Sequence, residues 1–287
     1  MSSQEGKSGL VVSQDSSPTF YRRFTPMQTL LHATVVTTFL GLALTGLPLR
    51  FSMSPLAKEF ARTVGGFAAI LFFHKLCAVI LTLAFLAHVG HVFYRGMIRR
   101  EKGIFWGPTS MVPQWKDLKE LFGNFRWFLG LGPKPRFERY AYWEKFDYWA
   151  VFWGMVVIGF SGYAMWFAPF FARFLPGWAL NAALIIHGEE ALLAVLFIFA
   201  IHFFNTHLRP GSFPMDMVVL TGRETEEEFE EKRAMEYSRL AGEGKLEARV
   251  DLPPSSSFVI VTRIAGFVAV VIGLALLALT LMAYFSG

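Results

Sequence analysis

The sequence predicts an all-α, polytopic membrane bundle: a four-helix core followed by a fifth, C-terminal transmembrane helix. Composition is the first observation, with 54% of the 287 residues hydrophobic and only 17% charged, where soluble domains average about 25% charged. The second is run length. Five apolar stretches reach the roughly 20 residues that a helix needs to cross a ~30 Å hydrocarbon core. The third is the placement of basic residues, which gather in the links on one side of those stretches.

The elements follow in chain order. Residues 1–20 are polar and lack an apolar core, so they read as a disordered tail and not as a signal peptide. The core domain is expected over 21–208, with spans at 26–49, 65–94, 146–171 and 179–208. Residues 209–256 read as a connector. Its stretch ETEEEFEEKRAMEYSRLAGEGKLEARV has helix-forming composition and many i,i+4 charge pairs, which predicts a solvated surface helix. Pro253 and Pro254 break the chain before the last segment, 257–287, whose span at 257–285 holds no histidine and is expected to contact a partner or lipid. Cys77 is the only cysteine, which excludes an intrachain disulfide and an all-cysteine metal site.

Orientation follows from loop charge. The 95–145 link carries eleven basic residues: Arg95, Arg99, Arg100, Lys102, Lys116, Lys119, Arg126, Lys134, Arg136, Arg139 and Lys145. The link at 50–64 has Arg50, Lys58 and Arg62, and that at 172–178 only Arg173. The N-terminus and the 95–145 link are therefore expected in the cytoplasm. Five crossings then put the C-terminus in the periplasm, for a multi-pass protein of the bacterial inner membrane.

Histidines inside such spans are costly and mark function. His187 and His202 are fifteen residues apart on one span, and His74 and His88 fourteen apart on another. At 1.5 Å per residue these separations are ~22 and ~21 Å, with rotations of about 60° and 40°. Two helices thus carry matching imidazole pairs, one near each membrane face. Imidazole is a common axial ligand of haem iron, so two such ladders would hold two haems stacked across the bilayer. His74 and His187 share the outer level. His32, His88 and His202 share the cytoplasmic level, where three imidazoles compete for two axial positions, with His202 the common member. His91 and His207 lie near the surface as interfacial residues, with a third haem between them as the rival reading. Gly41, Gly46, Gly90, Gly154, Gly159 and Gly162 would let helices or a flat macrocycle approach closely.

At RRFTPMQTLLHATVVTTFLGLALTGLPL, at His74 and at IIHGEEALLAVLFIFAIHFF the chain resembles the di-haem membrane cytochrome b family. This is the type of the formate dehydrogenase gamma subunit and the nickel-iron hydrogenase cytochrome b subunit. YWEKFDYWAVFWG and HFFNTHLRPGSFPMD also look like the cytochrome b group associated with multihaem cytochromes. The resemblance covers roughly residues 20–222. It implies two haem b groups, held by His74 with His187 on the outer side and His32 with His202 on the cytoplasmic side. His88 is the rival to His32, because a His74/His88 with His187/His202 arrangement would look like cytochrome bc complexes. The resemblance further implies a quinone site, for menaquinone or ubiquinone, beside the cytoplasmic-side haem. The family pattern has amides there; this chain offers Tyr140, Glu144, Lys145 and Asp147, with His88 as a further candidate. Glu144 and Lys145 also read as charges marking a helix start. Glu189 and Glu190 are candidates to orient a ligand imidazole, or to pair with Lys75 or Arg50.

The expected function is electron transfer between the quinone pool and a periplasmic redox partner, as one subunit of a respiratory complex. That partner would be a multihaem cytochrome c, an iron–sulfur subunit or a molybdenum subunit. No Cys-x-x-Cys-His occurs, so c-type haem would belong to other chains. Two rivals are a membrane anchor with structural haems and a proton-coupled transporter without redox chemistry. Net charge of +5 sits mostly in loops and speaks to topology, not to nucleic acid.

Overall fold

The computed structural model describes residues 18–209, 212–213 and 215–285. It is all-α but for one small sheet, and five helices are long and apolar enough to cross a membrane: Pro26–Arg50, Phe67–Ile98, Tyr142–Trp166, Gly177–Leu208 and Ser256–Tyr284. The chain is accordingly a multi-pass membrane protein. The spans begin and end within a few residues of their expected positions. The third departs most, stopping at Trp166, with Ala168–Phe171 forming a separate turn.

Local chemistry fixes the ends. Thr25 and Gln28 form a reciprocal capping box and Pro26 occupies the first helical position, which together start the first span. Ser54 caps a short helix, Pro55–Val64, that lies between the first two spans. Gly65 and Gly66, at φ +98° and +93°, then reverse the chain into the second span, a conformation that needs glycine. Glu144 accepts the Ala141 N–H at 2.8 Å and opens the third span. The second, third and fourth spans each contain wider π turns: Tyr94–Ile98, Met155–Gly159, and Phe197–His202 with Phe204–Leu208. Such turns concentrate at functional positions.

The fifth span is not peripheral to the fold. Ala43, Val195, Phe199, Phe203, Val270 and Leu276 form a buried cluster joining the first, fourth and fifth spans. Gly273 makes room for it: a Cβ there would fall within 2.7 Å of the Phe199 and Phe203 rings. The opposite face of the fifth span, with Ile260, Ile264 and Phe267, remains exposed as a lipid-facing surface would be.

The connector differs from expectation. A three-stranded antiparallel sheet of order β2-β1-β3 joins β1 (Phe20–Arg22), β2 (Arg223–Thr225) and β3 (Val250–Asp251). Phe20 thus belongs to a strand and not to the tail expected over 1–20, of which 1–17 lie outside the described residues. The charged stretch forms two short helices, Glu226–Lys232 and Ala234–Gly242, hinged at Arg233. They are packed, not merely solvated: Phe229 and Leu240 close on Tyr21 in a second core. Beneath it sits an ion network. Glu236, 1% exposed, meets Arg139 at 3.1 Å, Arg233 at 3.1 Å and Arg23 at 3.6 Å. Arg233 also pairs with buried Glu224, and Arg23 with Glu144 at 3.0 Å. The amphipathic charge pattern that suggested solvent exposure in fact faces a basic loop. The end of the bundle carrying the sheet is called the sheet end below.

Candidate functional site: paired histidines at two levels

Away from the sheet end, His74 of the second span and His187 of the fourth face each other. Their ring centres are 6.2 Å apart and their planes 73° apart. The two rings are held alike. Thr45 of the first span spends its hydroxyl proton on the Gly41 carbonyl at 2.6 Å, so its oxygen accepts from His74 Nδ1 at 2.9 Å. His187 Nδ1 lies 2.9 Å from the Ile158 carbonyl, an acceptor only, and 3.4 Å from Ser161 Oγ. Ser161 likewise turns its proton back onto the Val157 carbonyl at 2.6 Å. Both Nδ1 atoms are therefore donors. This tautomer leaves each Nε2 with a bare lone pair.

A glycine follows each hydroxyl. A Cβ on Gly46 would lie 3.2 Å from His74 Cε1, and one on Gly162 would lie 2.9 Å from His187 Cε1. Thr45-Gly46 and Ser161-Gly162 are thus equivalent sockets, one per histidine, supplied by the preceding span in each case. Gly41 serves a different neighbour, since a Cβ there would strike Cys77 Sγ.

At the sheet end His202 donates from Nδ1 to Asp147 Oδ2 at 2.9 Å. A carboxylate on one imidazole nitrogen fixes the tautomer and raises the basicity of the other, the arrangement common behind metal-bound histidine. His32 and His207 lie within electrostatic reach of His202 and of each other. His32 Nδ1 and His207 Nδ1 are buried with no hydrogen-bond partner among the described residues. His202 and His207 share this neighbourhood because the fourth span runs in π turns there, which widen the coil toward i,i+5 alignment.

His88 is placed elsewhere. Its Nε2 bonds Tyr148 OH at 2.9 Å, and its ring packs on Tyr148 and Phe152 of the third span. His91 is exposed and sits with His88 and Glu101. His91 and His207 thus have different neighbours.

The remaining candidates have partners inside the protein. Tyr140 lies between the guanidiniums of Arg23 and Arg139. Glu144 caps its helix and pairs with Arg23. Lys145, 2% exposed, is bonded to Asp117 at 2.8 Å. Glu189 pairs with Arg50, and Glu190 accepts from Trp153 Nε1 at 3.3 Å. Lys75 rests over the Trp166 ring. The groups that orient the His74 and His187 imidazoles are Thr45, Ser161 and the Ile158 carbonyl, not these glutamates.

The arrangement fits haem. A metal–nitrogen bond of about 2 Å, with the ring centre roughly 1 Å further, sets two imidazoles on one iron on the order of 6 Å apart. His74 and His187 have that spacing, with both Nε2 atoms unprotonated. His74 and His187 form a pair, the number of axial ligands one haem takes, whereas three imidazoles, those of His32, His202 and His207, gather at the sheet end. Comparison with known proteins gives no matching family model and no matching curated relative.

Proposed function

We propose that this protein is a di-haem membrane cytochrome b, the quinone-linked electron-transfer subunit of a respiratory complex. The observation that carries the reading is the His74–His187 pair, 6.2 Å apart, with each Nδ1 committed to a neighbouring span. Haem b would supply one-electron redox chemistry at each level. His74 and His187 would hold one group. His32 and His202 would hold the other: His202 is oriented by Asp147, and His32 has a buried Nδ1 with no hydrogen-bond partner among the described residues. His88 is directed toward Tyr148, which supports His32 over it as the ligand.

The chain's own residues position and insulate these groups. The Thr45 and Ser161 hydroxyls lock ring rotation, and the Phe199–Phe203 cluster keeps water from the fourth span. His88 and Tyr148 form a half-buried donor–acceptor pair on neighbouring spans, suited to hydrogen-bonding a quinone carbonyl. Tyr140 and Glu144, through the ion network, and Lys145, through Asp117, would frame that region. The basic loops at the sheet end support a cytoplasmic position for it by the positive-inside rule. The protein would then lie in a bacterial inner membrane, with its C-terminus and redox partner, such as a multihaem cytochrome c, on the periplasmic side.

A reduced-minus-oxidised spectrum of purified protein tests the reading. Two b-type haems per chain, reducible by a quinol analogue, are expected; a haem-free protein would refute it. A sharper expectation concerns Asp147→Asn. Losing the carboxylate weakens the imidazole donor and destabilises the oxidised iron. The midpoint potential of one haem should rise by about 60 mV, a tenfold shift in a one-electron equilibrium, while haem content and the other potential stay unchanged. A spectroelectrochemical titration reads all three.

A further inference from the structure

The sheet end holds a cavity of about 240 Å³ where the first turns of the first and fifth spans meet the sheet. Its rim carries Arg22 of β1, Arg223 of β2 and Asp251 of β3; Phe24, Leu220 and Phe258 line its apolar part. Asp251 Oδ2 accepts from Arg22 Nε at 2.9 Å and from Arg223 Nε at 3.2 Å. One carboxylate thus orients two guanidiniums. Among the described residues, the terminal nitrogens of Arg22 have no bonding partner, and Arg223 has only a 3.5 Å contact from Nη1 to the Thr221 carbonyl. Asp251 is held below the ordinary carboxyl range, first by the Arg22 hydrogen bond, so it stays ionised. Two cations and one anion leave one net positive charge on the rim.

Location decides what such a cavity suits. Phe258 lies two residues into the fifth span, and Pro26, also on the wall, is the first residue of the first span. The polar rim is therefore at headgroup depth, and the apolar part faces the start of the hydrocarbon. Basic pockets between spans at this depth recognise anionic lipid headgroups, and a guanidinium fork matches phosphate oxygens in pairs. We propose that the cavity binds the phosphate of an anionic phospholipid, its acyl chains passing over Phe24, Leu220 and Phe258. The lipid would clamp the fifth span to the sheet independently of any haem.

Nanodiscs of equal parts phosphatidylglycerol and phosphatidylcholine, followed by native mass spectrometry, test this. Wild-type protein should retain phosphatidylglycerol in preference. Arg22→Gln with Arg223→Gln should lower that retention roughly thirtyfold, the attraction of two surface cations. Thr29→Phe fills the cavity wall without touching the ion pairs and should do the same. Unchanged retention in Thr29→Phe would overturn the site. Displacement of the lipid by millimolar inorganic phosphate would reassign the cavity to a soluble anion and equally overturn it.

Discussion

On the di-haem proposal, replacing His187 with alanine is expected to halve the haem content, from two b-type groups per chain to one. The surviving group should keep its potential. His187 and His74 face each other, and each is fixed through Nδ1 to a different span, so neither ring is free to swing away and be replaced by another. His74→Ala should give the same spectrum. Gly162→Ala should give a weaker form of it, since its new methyl group would press on His187 Cε1 from 2.9 Å. At the sheet end His32→Ala and His202→Ala should each remove the other group, whereas His88→Ala should remove none. Pyridine haemochrome counts on folded, monodisperse protein decide the matter. Full occupancy in His187→Ala, or a loss in His88→Ala without one in His32→Ala, would sink the ligand assignment.

The second large effect is structural. Glu236→Ala should destabilise the extramembrane unit by about 3–5 kcal/mol, the usual cost of stripping one partner from a buried ion pair. Among the described residues, Glu236 is the only carboxylate within 4 Å of three guanidiniums at once, those of Arg23, Arg139 and Arg233. Without it those cations would repel one another in a buried space. Amide exchange over residues 223–251 should accelerate, with the five spans little changed; unaltered protection would contradict the account. The acid dependence has a definite sign. Burial raises the Glu236 pKa, but Arg139, Arg23 and Arg233 outweigh it and hold the carboxyl below its ordinary value of 4.5. Its contribution is therefore complete above that value and is lost as pH falls through the lower folded one. The wild-type connector should loosen only in that acid range, and Glu236→Ala should abolish this dependence.

Much of this was legible in the residues. The five spans announce themselves by length and apolarity, and the two imidazole levels by spacing along helices of known rise. What stayed hidden depends on contacts between segments distant in the chain. The sheet consists of strands of two or three residues, too short for any alternation to register, and its partners lie some 200 residues apart. The acidic connector looked solvated because charge alone does not say whether Arg23 and Arg139 will meet it. Glu189 and Glu190 drew attention as charges deep in a span, while the rings' actual supports were an inconspicuous Thr45 and Ser161. The clue available was a repeated dipeptide, hydroxyl then glycine, at matching depth in the first and third spans. Asp147 was visible as an acid at the start of a span, but its direction toward His202 was not.

One consequence of the sheet concerns timing. β1 is its middle strand, yet both neighbours emerge from the ribosome only after four spans have been threaded into lipid. Until residue 236 is synthesised Arg23 lacks Glu236, and until residue 250 Tyr21 lacks its partner on β3. Closing so long a loop is slow. The sheet should therefore act as a late latch, closing only after four spans have entered the membrane.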